Sequence, residues 1–345
     1  MKNRIFLLAC ESSCDETAFA IYDIKNEKII ESIVYSQILL HKNFGGVIPE
    51  VASKEHLEKI ETVLNEVLIK SNLKLEDIDY FAATTGPGLP GALLIGMNFT
   101  KSIAWSLKKP FIAVNHLSGH IYSSFLENNP SFPHICLSAS GGHTSLYLVK
   151  NETEYETIGD TQDDAAGECF DKIAKLLSLG YPGGSIIEKI AESENFIDKR
   201  KYPRLKNKDL NFSFSGLKTA VLYDVIKAGY FDEIDKKIKK DTPTYFINSV
   251  SSSLLCAISD ILCNKIEIAM KIYPEIQGIS FVGGVACNKY IKTKIFQLTK
   301  KNNIDFWTPS SKYCSDNAAM IAITASFLIK NNINKDLSYY DEIKI

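Results

Sequence analysis

Long apolar runs are scarce in this chain. The first, Ile5 to Ala9, is followed by Cys10 and then by Glu11, Asp15 and Glu16, which is too short for a signal peptide and far too short to cross a bilayer. No other stretch approaches the roughly eighteen apolar residues that a spanning helix needs, so a soluble, cytoplasmic protein is expected. An excess of charge of one sign is also lacking. Lys and Arg number 39 against 41 acids, for a net charge of -2, which argues against a non-specific nucleic-acid coat but leaves room for an RNA-directed enzyme whose basic surface is local. Its densest basic stretches, Lys199, Arg200, Lys201, Arg204, Lys206 and Lys208, then Lys236, Lys237, Lys239 and Lys240, also fit a solvated face. Cysteine is too thinly spread for a disulfide framework: eight residues, with Cys10 and Cys14 four apart and no second pair at metal-ligand spacing, read as reduced and mostly structural.

Several catalytic signatures are missing as well. The glycine-rich stretch Gly86-Pro-Gly-Leu-Pro-Gly91 lacks the Gly-Lys-Ser/Thr ending of a nucleoside-triphosphate loop. The run Ser138-Ala-Ser140-Gly-Gly-His143 holds serine and histidine but not the serine-centred elbow of hydrolases, and the chain shows no convincing nucleophilic triad.

What is present is an ordinary globular composition, 45% hydrophobic and 23% charged over 345 residues, a length that favours two domains. Strand patterns at 4–11, 17–22 and 29–35 surround the tight polar turn Ser12-Ser-Cys-Asp15, and helical spacing of Leu57, Ile60, Leu64 and Leu68 predicts a helix over 53–69. A strand at 78–85 leads through the glycine turn to a helix at 92–107. A short strand at 111–114 precedes Asn115-His-Leu-Ser-Gly-His120 and a helix through Leu126, after which 128–133 reads as a linker. The opening pattern then returns, with strands at 134–140, 145–150 and 155–159 and the turn Gly141-Gly-His-Thr144. Helices are expected at 163–179 and 245–272, the latter interrupted near Ser249 to Ser253. The strand 279–282 leads through Gly283-Gly284 to a helix from about Ala286, with Asn288 in its first turn. A last strand at 306–309 and a helix at 318–329 complete the order. Two copies of one strand-turn-strand-strand start predict an α/β fold of two duplicated ribonuclease-H-like domains. The first is 1–130, completed by the helix at about 317–330; the second is 131–316, with an insertion at about 190–245. A nucleotide-like ligand would lie in the crevice between them.

Only six histidines occur. His116 and His120 stand four apart and project from one side of a helix, a spacing suited to a divalent metal with a third oxygen ligand and equally to packing, capping or solvent. Leu117 occupies the place where zinc peptidases carry their general-base glutamate, which argues against proteolysis. Asp316, in a polar turn before an apolar helix, is the best third ligand on local grounds, and helix capping is its other reading. Asp171 lies beside Phe170 on a mixed apolar and acidic segment, where acids are usually just solvated. Glu11 and Asp15 at the first turn can position a nucleotide, a metal or its water, or simply satisfy backbone donors.

Taken together, Ala9-Cys-Glu-Ser-Ser-Cys-Asp-Glu16, Gly45-Gly-Val-Ile-Pro-Glu50, Gly86-Pro-Gly-Leu, Asn115-His-Leu-Ser-Gly-His120, Ser140-Gly-Gly-His-Thr144, Asp163-Asp-Ala-Ala-Gly-Glu168 with Phe170-Asp-Lys172, Tyr181-Pro-Gly-Gly184, Phe212-Ser-Phe-Ser-Gly-Leu-Lys218, Gly283-Gly-Val-Ala-Cys-Asn288 and Cys314-Ser-Asp-Asn317 resemble the TsaD family, the tRNA N6-adenosine threonylcarbamoyltransferases, in its bacterial and organellar branch. The resemblance implies the actin-like (ASKHA) fold. It also implies transfer of threonylcarbamate from threonylcarbamoyl-adenylate to N6 of adenosine 37 in tRNAs that read codons beginning with A, with release of AMP. It assigns metal ligation to His116, His120 and Asp316, and substrate contacts to Ser138, Ala139, Ser140, Gly141, Gly142, Asp171, Gly184, Glu188 and Asn288. Glu11 and Asp15 resemble the acidic pair of the first nucleotide-facing turn and are the catalytic candidates. One divalent ion per subunit is implied, iron(II) first, with zinc and magnesium as alternatives. The implied partners are tRNA, a TsaB-like paralogue, a TsaE-like ATPase and the synthase that makes the donor; no membrane is involved. The chain departs from the family pattern at Cys10, Pro90 and Glu188. An ATPase or small-molecule kinase on the same fold is the alternative function.

Overall fold

The computed structural model describes residues 4–44, 46–204 and 208–333; Gly45 of the Gly45 to Glu50 motif and Lys206 of the first basic stretch lie outside them. The elements follow the order β1 (Phe6–Glu11), β2 (Glu16–Asp23), β3 (Lys28–Ser36), α1 (Ile38–His41), α2 (Pro49–Ser71), β4 (Tyr80–Gly86), α3 (Pro90–Ser106), β5 (Phe111–Asn115), α4 (His116–Tyr122), β6 (His134–Ala139), β7 (Thr144–Val149), β8 (Tyr155–Asp160), α5 (Ala166–Leu176), α6 (Gly183–Ser193), α7 (Ser215–Lys227), β9 (Phe231–Asp232), β10 (Lys237–Ile238), α8 (Thr244–Ile272), β11 (Gly278–Val282), α9 (Lys289–Lys301), β12 (Asp305–Trp307) and α10 (Ala318–Lys330). They form two compact units, the described residues of Met1–Asn129 with Pro309–Ile345, and those of Pro130–Thr308.

In the first unit the sheet order is β3-β2-β1-β4-β5, with β1, β2 and β3 antiparallel and β1, β4 and β5 parallel. β1 is buried on both faces, so it reads as a continuous apolar run rather than an alternation. Leu8 and Cys10 join Phe19, Ile21, Ile60, Val63, Leu64, Phe81 and Met97 in one core beneath α2 and α3. Cys10 therefore serves as a small core hydrophobe, its thiol pushed up to about 12 by burial. α10 packs against the same sheet, and its alanines allow close approach. Pro90 stands in the first turn of α3, where its missing N–H would have had no helical partner. Gly88 is demanded by contact: a side chain there would meet the Ser13 carbonyl at 2.6 Å. On the outer side of the two helices Leu57, Ile60, Leu94, Ile95, Phe99 and Ile103 line an apolar groove.

The second unit repeats the topology. Its sheet order is β12-β11-β6-β7-β8, with β6, β7 and β8 antiparallel and β6, β11 and β12 parallel. Substituting first strand for first strand gives the same ribonuclease-H-like order twice, as the sequence repeat predicts.

The helices depart from expectation in several places. α5 begins at Ala166 rather than 163, because Asp163 is turned away to accept hydrogen bonds from the backbone N–H groups of Phe214 and Ser215 and from the hydroxyls of Ser213 and Ser215. α6 and α7 occupy segments read as glycine turn and polar insertion. α8 runs unbroken through Ser249 to Ser253. Those serines are buried, and their hydroxyls bind the insertion: Ser252 donates to the Ile197 carbonyl, while Ser253 and Ser249 accept from the backbone N–H and side-chain Nε of Arg200. α8 is also long and apolar enough, by composition, to cross a membrane, but 78% of its apolar window is buried inside the unit, where it is a core helix. Asn288 caps α9 instead of lying inside it, its carbonyl oxygen accepting from the Ile291 N–H.

His134 starts β6 fully buried, with Nδ1 3.0 Å from the Ser131 carbonyl and its ring stacked on Phe132. Burial brings its pKa down to about 4. The unfolded chain takes up a proton below about pH 6.5 while the folded chain resists until about pH 4, so stability present above that window is lost as pH falls through it, by up to roughly 3 kcal/mol. Urea unfolding across this range should show a flatter pH dependence for His134→Gln than for wild type.

Candidate metal centre and polar turns

The first unit assembles its polar centre from four separate segments. β5 ends at Asn115, whose side chain accepts from the N–H groups of Leu117 and Ser118 and so starts α4. That start places His116 and His120 one turn apart, both buried, with rings edge to face at 4.7 Å. Asp316 arrives from the segment after Pro309, which is held in this unit by the N–H and hydroxyl of Ser310 donating to Glu127. Asn317, not Asp316, caps α10, so the aspartate carboxylate is left for the histidines. His120 Nε2 lies 3.0 Å from Asp316 Oδ1 and His116 Nε2 3.6 Å from the same atom; one ligand atom from each residue fits within 4.8 Å of the others. Two donors on one first-row ion, each at about 2.1 Å, stand roughly 3.0–3.4 Å apart, so the donor set fits a divalent metal.

The other side of His116 is fixed from behind. Its Nδ1 is 3.2 Å from Glu11 Oε2 and 3.1 Å from Ser13 Oγ, leaving Nε2 for Asp316, the arrangement in which an outer carboxylate sets the tautomer of a metal-ligating imidazole. Glu11 is fully buried at the end of β1, where it also accepts from the Ser13 N–H and the Thr84 hydroxyl. Burial raises its pKa, but the neighbouring His116 outweighs this and holds the carboxyl below the ordinary range. Burial likewise disfavours His116 as a cation, and Asp316 and Glu11 overcome it, raising the imidazole to about 9. The centre therefore calls for positive charge at Nε2, as a proton or as a metal. His120 Nδ1 is buried without a hydrogen-bond partner. Asp15 and Glu16 stand nearby, and Glu16 is held well above the usual carboxylate range by burial and by Asp316 and Asp15.

In the second unit Ser138 and Ala139 end β6 buried, the Ser138 hydroxyl having no hydrogen-bond partner. The Ser140 hydroxyl accepts from the N–H groups of Gly142 and His143, closing the turn, while Gly141 and Gly142 face open space. Gly283, at φ 87°, must be glycine because a side chain would meet the Ala139 carbonyl at 2.4 Å. Asp171, midway along α5, accepts from the Gly183 N–H at 2.7 Å and is raised by burial; Gly184 follows beside Phe170. Glu188 accepts from the N–H groups of Lys289 and Tyr290, next to the cap residue Asn288. The expected substrate residues thus gather around β6, α6 and the start of α9. Ser13 and Asp163 lie in the quoted motifs without an assigned role, and Thr84 was not singled out by the sequence. Thr84 lies 73 residues from Glu11, and no local pattern signals that pairing.

Residues 28–323 match the family model of TsaD: tRNA N6-adenosine threonylcarbamoyltransferase. The chain is 46% identical over 323 residues to the tRNA N6-adenosine threonylcarbamoyltransferase of Thermosipho melanesiensis, covering 92% of this chain and 93% of the relative. It is 44% identical over 330 residues to that of Kosmotoga olearia, covering 95% and 94%. Among solved structures, component A of the Acidaminococcus fermentans (R)-2-hydroxyglutaryl-CoA dehydratase superposes with a TM-score of 0.54 at 15% identity, over 93% of this chain and 98% of that one. That likeness is one of fold, the actin-like α/β architecture.

Elemental analysis of protein loaded with iron(II) or zinc and then desalted should find close to one ion per chain in wild type, and far less in His116→Ala/His120→Ala and in Asp316→Ala. Glu11→Gln should retain the ligands but lower metal affinity about 10- to 100-fold. Equal metal content in all four proteins would refute the assignment.

Proposed function

Because the chain belongs to the TsaD family of tRNA-modifying enzymes, we propose that it transfers the threonylcarbamoyl group of threonylcarbamoyl-adenylate to N6 of adenosine 37 in tRNAs reading codons that begin with A. The observation that carries this reading is the convergence of His116, His120 and Asp316 in one site. The donor is a mixed anhydride and already activated, so no covalent enzyme intermediate is required. N6 attacks the carbamoyl carbon, the carbon–oxygen bond to the phosphate breaks, AMP leaves with the bonding pair, and N6 loses a proton.

His116, His120 and Asp316 would hold one divalent ion, iron(II) by preference, with zinc or magnesium as substitutes. Bound there, the ion supplies Lewis-acid stabilisation of negative charge on the donor. Glu11, with its three hydrogen bonds, positions His116, and Asp15 is the carboxylate assigned to take the N6 proton. The open turn formed by Ser138, Ala139, Ser140, Gly141 and Gly142 offers backbone N–H groups and a hydroxyl to the adenylate. Asp171 and Asn288 bind its sugar or acyl portion. Gly184 gives room beside Phe170. Glu188 acts one step back, holding the start of α9 and with it Asn288. A TsaB-like paralogue, a TsaE-like ATPase and a threonylcarbamoyl-AMP synthase complete the system in the cytoplasm, where the tRNA substrate is found. The groove between α2 and α3, with Leu57 67% and Leu94 45% exposed, has the apolar chemistry to seat the paralogue.

The test supplies labelled threonylcarbamoyl-adenylate, the partner proteins and unmodified tRNA. Label should enter tRNA carrying adenosine 37 and not a variant with guanosine there. His116→Ala/His120→Ala should lower the rate by roughly two orders of magnitude or more. Phosphate release or small-molecule phosphorylation without label in tRNA would instead establish the ATPase or kinase alternative.

A further inference from the structure

Lysines on the other long helices are interleaved with acids. α2 pairs Lys54 with Glu58, Lys59 with Glu55 and Lys70 with Glu66, and α8 pairs Lys271 with Glu267. α9 is different. Its 13 residues carry Lys289, Lys292, Lys294, Lys300 and Lys301 and no acid, and among the described residues none of the five has a carboxylate partner. Nearby acids are committed elsewhere: Glu188 to the backbone at the start of α9, Asp260 to Arg204, Glu267 to Lys271. With a net charge of -2 for the whole chain, the rest of the protein is more acidic still, so this concentration is local and strong.

The helix is anchored by Ile291, Ile295 and Thr299, all buried at spacing four. On another side Lys289, Lys292, Phe296 and Lys300 follow at steps of three, four and four, which places three ammonium groups and a ring in one stripe about 16 Å long. Phe296 is 49% exposed. A row of lysines with an accessible aromatic ring suits a chain of phosphodiesters with an unstacked base. A helix that lies on a bilayer needs a free apolar face, and that of α9 is already packed.

We propose that the outward face of α9 is a contact surface for the phosphodiester backbone of the acceptor tRNA, with Phe296 offered to one base. This rests on the transfer reading above. It adds a direction to it, because Lys289 directly follows Asn288, so RNA tracking the stripe ends beside a residue assigned to the donor.

The test measures filter binding of unmodified tRNA to the full-length protein with its partners at several KCl concentrations, with threonylcarbamoyl transfer scored in the same preparations. Lys289→Gln/Lys292→Gln/Lys300→Gln should weaken binding about tenfold or more at moderate salt and lower the log-log salt slope by about 2 to 3, with metal content and thermal unfolding unchanged. Lys109→Gln/Lys150→Gln/Lys271→Gln, three lysines each paired with an acid, removes the same charge and should bind like wild type. Unchanged affinity and slope in the α9 variant beside an active wild type overturns the surface alone, as does an equal loss in the paired-lysine control. Wild type that neither binds nor modifies tRNA sinks the transfer reading with it. Sedimentation with phosphatidylserine vesicles that depends on these lysines, with tRNA binding intact, would assign α9 to a lipid surface and also overturn the proposal.

Discussion

A carboxylate buried at the end of β1 organises the first unit. Glu11 is out of water entirely, and an ionised acid there costs several kcal/mol unless its lone pairs and charge are answered. They are answered from three directions, by the Ser13 N–H of the following turn, the Thr84 hydroxyl at the end of β4 and the imidazole of His116 at the start of α4. The cation this favours on His116 is shared with Asp316, which also meets His120. One buried charge thus ties together the ends of two strands, the start of a helix and the segment that returns after Pro309. A metal at the same place would satisfy the same electrostatic demand that a proton satisfies otherwise.

The second unit solves a related problem with helix ends. The first N–H groups of a helix lack partners inside it, and three helices here receive a carboxylate from another element: Asp171 at α6, Asp163 at α7 and Glu188 at α9. Asp163 and Glu188 reach helices that are distant in the chain, and Asp171 reaches the next helix. The segment around residue 200 is fastened by the same means, through Arg200 and the buried serines of α8. With these ends satisfied internally, the turn at Gly141 and Gly142 remains open to the outside. This division separates residues that hold the helix ends from residues of the open turn available to a ligand.

The strands were legible because both sheets are built from short apolar runs bounded by polar turns, and the repeat of that pattern foretold the doubled ribonuclease-H-like order. α2, α3 and α10 were legible through their apolar spacing and flanking prolines or asparagines. α6 and α7 were not. Gly183 and Gly184 look like a stop signal, yet they open α6 because Asp171 supplies the missing acceptor. The serines of α8 looked like an interruption, yet their hydroxyls are spent on the insertion. In both cases a partner on another segment overrode the local preference.

By itself the sequence indicated the succession of strands along the chain and the two-fold repeat, which depend on residue type, period and spacing; the family and the grouping of His116, His120 and Asp316 came from the resemblance that its motifs carry. Only the tertiary structure decided that Asn317 rather than Asp316 caps α10, that Glu11 stands behind His116, that Glu188 and Asn288 are turned to the start of α9, and that five lysines on that helix have no carboxylate beside them among the described residues. Those outcomes are set by which distant groups share a buried space, and charge and hydrogen bonding act across that space rather than along the chain.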